Sequence, residues 1–169
     1  SDELLESATY IYEHKAYDDD ISPNKVGTGA SDNIRYYNMP FYYNNATGDI
    51  NDLTTAIHEL GHCNKFYWAG DHWNTFPMCI DTAEVHSQAL ELLMFRYYPE
   101  LLGSEANNAE WFIVYHKVIS DIIEGCLYDE FQRRVYETED LTLKKTNMIF
   151  RDLCAEYGLI TEDDARTEL

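Results

Sequence analysis

His58-Glu59-Leu60-Gly61-His62 is the stretch from which the rest of this chain is read. Two histidines four apart on a helix project to the same side, one turn above one another. Their imidazoles can grip one metal ion, while Glu59 points aside toward a water on that metal, an arrangement that suits a zinc peptidase. Leu53, Ile57 and Leu60 form the apolar stripe of the same helix, and Asn51 or Asp52 can cap its start. Gly61 is costly inside a helix and makes sense where another segment of chain must approach closely.

A catalytic zinc takes three protein ligands and keeps a fourth position open. The expected third ligand is Glu84, in Asp81-Thr82-Ala83-Glu84-Val85-His86-Ser87-Gln88. It lies on a second predicted helix, from about Asp81 to near Tyr97 and ending before Pro99. There it shares a face with Ser87, Gln88 and Glu91. Crossing this helix against the first would bring Glu84 to the metal, and Glu91 could hold a ligand histidine through its second nitrogen. With one zinc bound per chain, the pKa of its water falls to roughly 7, and Glu59 can take the proton as general base.

Working outward, residues 3–17 read as a helix from Leu4, Leu5, Ala8, Ile11 and Tyr12. Asp18 to Asp32 reads as a loop. Ile34 to Asn45, rich in tyrosine and interrupted by Pro40, reads as one or two short strands at an edge. Ala46-Thr47-Gly48-Asp49 turns the chain, and Ala69 to Pro77 reads as a loop. A long helix is expected from roughly Asn108 to Tyr136, with Trp111, Tyr115, Val118, Ile122 and Cys126 on one side. Another is expected from about Leu141 to Tyr157, capped by Gly158, with Thr161-Glu162-Asp163-Asp164 resembling a fresh helix start. With no repeat and no convincing linker, the expectation is a single domain over 1–169, of mainly α (α+β) class.

Composition sets the outer bounds. Apolar content of 45% and 14% aromatics exclude a wholly disordered acidic chain despite a formal charge of −19. That acidity argues against nucleic acid or an anionic membrane as partner, since phosphate binding needs clustered Lys and Arg. Cys63, Cys79, Cys126 and Cys154 form no CxxC and are read as reduced thiols. No secretory start and no membrane-length apolar run is evident, which favours a cytoplasmic protein.

Three ordered stretches carry a family resemblance. Pro40-Phe41-Tyr42-Tyr43-Asn44-Asn45-Ala46-Thr47-Gly48, followed by Asp52 to His62, resembles the oligoendopeptidase F and thimet oligopeptidase family. Glu84-Val85-His86-Ser87-Gln88 looks like that family's third-ligand motif, and Gly125-Cys126-Leu127-Tyr128-Asp129-Glu130-Phe131-Gln132 resembles a further segment of the oligoendopeptidase F branch. The resemblance spans roughly residues 20 to 157. It implies a gluzincin-type zinc-peptidase core of packed helices, with a short edge sheet before the HExxH helix, acting on short peptides. His58, His62 and Glu84 would be the ligands and Glu59 the base. Tyr42, Tyr43, Asn44 and Asn45 would bind substrate backbone by strand addition. It also implies a partial catalytic core, with a parent longer at both ends that carries His- and Tyr-containing oxyanion donors downstream.

The alternatives belong to other classes. One is a catalytically inactive metal-binding or interaction domain lacking those donors. Another is a di-iron bundle, which needs a second Glu-x-x-His that the chain does not contain. His72 and His86 are read as an ordinary loop residue and a helix residue facing away from Glu84. His14 and His116 have no partners at ligand spacing. Peptide preference and oligomeric state are not legible.

Overall fold

Ser1 opens the first helix, α1 (Asp2–Glu13), by accepting a hydrogen bond at its Oγ from the Leu4 amide, 3.4 Å away. This computed structural model describes residues 1–70, 82–103 and 114–160. The predicted run of α1 to residue 17 is cut short. Lys15 takes a positive φ of 50°, and the Ala16 amide turns back to the Ile11 carbonyl at 2.9 Å. The chain then leaves in strand β1 (Tyr17–Asp18).

Strands β2 (Gly29–Ile34) and β3 (Met39–Asn44) complete a three-stranded sheet of order β1-β3-β2. β1 runs parallel to β3 and β2 antiparallel to it. Two expectations change here. Most of β2 falls within the segment read as a loop, because Gly29, Asp32 and Asn33 are poor strand formers on which pairing with β3 prevails. And β3 is the central strand, not an edge, although it carries Pro40. The Tyr42 amide bonds the Ala16 carbonyl at 3.3 Å, so two residues earlier the missing Pro40 N–H points to the same side. There β1 has not begun to pair, and no ladder bond is lost.

Asp49 caps α2 (Ile50–Ala69) by accepting from the Asn51 amide at 2.7 Å. Asp52 completes a reciprocal capping box from the third helical position, where its carboxylate also accepts from the Thr47 and Gly48 amides at 2.8 and 2.6 Å. The cap is therefore Asp49, and not Asn51 or Asp52. Packing from α1, β2, β3 and one further helix covers α2, which explains a helix buried well beyond one stripe. Ile11, Ala16, Tyr42 and Cys63 form the core between helix and sheet.

That further helix is α3 (Val85–Met94); it passes through a 3-10 turn (Phe95–Tyr97) into α4 (Tyr98–Leu102). Helical structure thus continues past Pro99, which sits in the first turn of α4, where its missing N–H costs nothing. The expected start at Asp81, together with His72, Cys79 and the predicted 69–77 loop beyond Gly70, lies outside the described residues.

The chain divides into two compact units, Ser1–Ala106 and Asn107–Leu169. In the second, a π-helical segment (Val114–Ser120) leads into α5 (Asp121–Glu137), and α6 (Leu143–Glu156) packs back on it. Their seam is Leu127 and Phe131 against Leu153 and Cys154. The expected stripe is not that seam, since Tyr115, Ile122 and Cys126 are exposed; Trp111 lies outside the described residues. Gly158, at φ 73°, follows α6 as expected. Among the described residues no helix is long and apolar enough to cross a membrane.

Candidate metal centre

Gly61 decides how closely the two site-bearing helices meet. A Cβ there would lie 2.7 Å from the Ser87 Cα and 2.8 Å from the His86 carbonyl oxygen. α2 and α3 therefore touch backbone to backbone, as the glycine led us to expect. Beside that contact, the side chains of His58, His62 and Glu84 converge, with one donor atom of each lying within 4.8 Å of the others.

The distances suit a small cation. Glu84 Oε2 lies 3.0 Å from His58 Nε2 and 3.4 Å from His62 Nε2. A tetrahedral zinc with bonds of about 2.0–2.2 Å holds its ligand atoms about 3.3–3.6 Å apart. Glu84 stands at the N-cap of α3, and Ser87 Oγ donates to its Oε2 at 2.8 Å, orienting the carboxylate. Glu91, two turns along α3 and only 3% exposed, sits with Oε1 2.6 Å from His58 Nδ1.

This pairing supplies a test of the donor set. With the Nδ1 proton given to Glu91, a neutral His58 turns the lone pair of Nε2 toward the anionic Glu84 oxygen. Two acceptors 3.0 Å apart repel unless a proton or a metal cation lies between them. In the zinc-free protein a proton can take that part. Burial disfavours the charged ring, yet the hydrogen bond and charge of Glu91, with Glu59 and Glu84, hold the His58 pKa above the ordinary imidazole value. His62 goes the other way, pushed down by burial against the pull of Glu84. Its ring packs edge-on to His58, and its buried Nδ1 has no hydrogen-bond partner among the described residues. Two imidazoles and a carboxylate, ringed by Glu59 and Glu91, form a set that fits a divalent zinc.

Glu59 is buried on α2 beside the ligands. Its Oε2 accepts a hydrogen bond from Ser31 Oγ of β2 at 2.6 Å. Ser31 was not foreseen, because it falls in the segment read as a loop and no spacing rule links it to the HExxH helix. His86 is exposed and contributes no atom to the cluster, in keeping with its reading as a residue facing away. His14 is also remote, stacked on Tyr10.

The four residues expected to receive substrate backbone are placed otherwise. Tyr42 and Tyr43 pair with β1 on one side and β2 on the other. The Tyr42 ring is buried in the core, and its hydroxyl donates to Asp19 at 3.2 Å. Asn44 ties β3 to α2 by donating to the Asp52 carbonyl at 3.1 Å. Asn45 accepts from the Ser22 amide and donates its own to Thr28. Strand addition at Tyr42–Asn45 is thereby excluded, since the ladder is already used. Among the described residues, the open edge on the site's side belongs to β2. The bond from the Asn45 amide to the Thr28 carbonyl fixes the alternation, so Gly29, Ser31 and Asn33 direct their backbone polar groups outward.

No protein-family model and no curated protein sequence matches the chain. Solved structures do. It is similar to a structure assigned as oligoendopeptidase F from Bacillus anthracis str. Ames, with a TM-score of 0.79 and 22% identity over 93% of this chain and 29% of that one. A second structure, also assigned as oligoendopeptidase F, matches with a TM-score of 0.81 and 26% identity over 94% and 28%. PZ peptidase A, solved with an inhibitor, matches with a TM-score of 0.77 and 25% identity over 93% and 28%. The chain spans less than a third of the length of each.

Proposed function

The fold is that of the oligoendopeptidase F and PZ peptidase structures, and on it we propose that this chain is the metal-binding core of a zinc-dependent endopeptidase acting on short peptides. The observation that carries the reading is the convergence of His58 Nε2, His62 Nε2 and Glu84 Oε2 with a buried Glu59 beside them. Zinc, when bound, supplies a Lewis acid that acidifies water and polarises the scissile carbonyl.

The chain's own residues do the remainder. Glu91 keeps the His58 proton on Nδ1, leaving Nε2 to the metal. Ser87 holds the Glu84 carboxylate toward both rings. Glu59 takes the proton of the attacking water and passes it to the departing amine nitrogen. A peptide laid along the open edge of β2 would pair with the backbone of Gly29 and Ser31, which run beside Glu59.

Zinc-loaded protein should cleave a quenched fluorescent oligopeptide. Glu59→Gln should keep its zinc and lose at least about 10²-fold in turnover, the share of a general base. His58→Ala should lose the metal as well. A zinc-loaded wild type without turnover would leave metal binding and remove hydrolysis. Equal, negligible zinc in wild type and His58→Ala would remove both.

A further inference from the structure

The bond from β2 to the HExxH helix has a consequence for the proposed hydrolysis, on which it rests. Ser31 Oγ donates to Glu59 Oε2 at 2.6 Å. Two residues earlier, a Cβ on Gly29 would lie 2.6 Å from Thr55 Cγ2 and 3.1 Å from Glu59 Cγ, so the strand is pressed against the helix at this turn. Ser31 stands opposite Tyr42 in a pair that exchanges no ladder bonds, so its N–H and C=O point to the open edge while its side chain points to α2. One residue thus offers its main chain to whatever pairs with β2 and its hydroxyl to the carboxylate of Glu59.

We propose that Ser31 is a positioning residue that locks the Glu59 carboxylate in register with a peptide paired on β2. A glutamate side chain has three rotatable bonds, and binding one oxygen leaves the other at a fixed place to receive a proton. Because the anchor belongs to the strand that would carry the substrate, the base and the scissile bond are referred to the same backbone. Ser31 itself exchanges no proton with substrate.

The structural alternative is that the hydroxyl only satisfies a buried carboxylate. Ser31→Ala and Ser31→Thr separate the two. In zinc-loaded protein, Ser31→Ala should lower kcat about tenfold with KM within about twofold of wild type and zinc content unchanged. Ser31→Thr, which keeps a hydroxyl, should recover most of kcat. Independently of activity, the 13C carboxyl resonance of Glu59, identified by its loss in Glu59→Gln, should move or broaden in Ser31→Ala and return in Ser31→Thr. An unmoved resonance with wild-type kcat overturns the proposal, and so does an effect confined to KM. No turnover from the wild type overturns the hydrolytic reading instead, and the resonance then decides by itself whether Ser31 holds Glu59.

Discussion

Glu91 governs what His58 can do. Its carboxylate raises the His58 pKa in the zinc-free protein and, by holding the Nδ1 proton, aims Nε2 at Glu84. A raised folded pKa gives stability that is full below the unfolded imidazole value and is lost as pH rises through the folded one. Zinc must displace the Nε2 proton, so uptake near neutral pH should release up to one proton per ion. Affinity should fall as the solution is acidified through the His58 range. Calorimetry in buffers of different ionisation heat will read the proton release directly, and zero release would contradict a proton on His58 Nε2 in the zinc-free protein. Glu91→Ala should weaken zinc binding by about 10–100-fold. His58, Glu59 and His62 were singled out by spacing on one helix and Glu84 and Glu91 by spacing on the next, and only the crossing of the two helices brings the sets together. Ser31 was not singled out, since its tie to Glu59 depends on a strand that composition conceals.

Between elements, the approach of α2 to α3 at Gly61 is the feature most exposed to substitution. Gly61→Ala would set a methyl 2.7 Å from the Ser87 Cα, a backbone atom that cannot rotate away. The helices must part, at a cost of about 1–3 kcal/mol for overpacking. Glu84 lies on the far side of that contact and would be drawn from both histidines. Urea unfolding should show the lost stability and equilibrium dialysis a lowered zinc affinity; wild-type affinity with reduced stability would mean that the ligands follow α2 rather than α3. The sheet teaches the opposite lesson about legibility. Pro40 argues locally for an edge, yet β3 is central, because the missing N–H falls where β1 has not yet started. The change matters, as it transfers the open edge from Tyr42–Asn45 to Gly29–Ser31.

For the whole molecule, the proposed ligands come from two helices separated by a long stretch of chain, so a bound zinc would fasten α2 to α3 across it. A ligand that binds only the folded state stabilises by about 2.7 kcal/mol at a hundred times its Kd. Thermal melts should therefore rise with zinc, fall with a chelator, and not respond in His62→Ala. An identical response in His62→Ala would point to adventitious binding by the acidic surface, a real competitor in a chain of formal charge −19.

The sequence by itself pointed to His58, Glu59, His62 and Glu84 as candidates and to the mainly helical class. The pairing of His58 with His62 follows from periodicity within one helix, which is written into neighbouring residues, and the addition of Glu84 from the family-like motif on the next helix. The tertiary structure alone decided which strand lies open and which hydroxyl meets Glu59. It also decided that the seam of the second unit runs through Leu127 and Leu153 rather than Tyr115 and Ile122. Those outcomes depend on pairing and packing between distant segments, where the free energy of contact overrides the local preference of each.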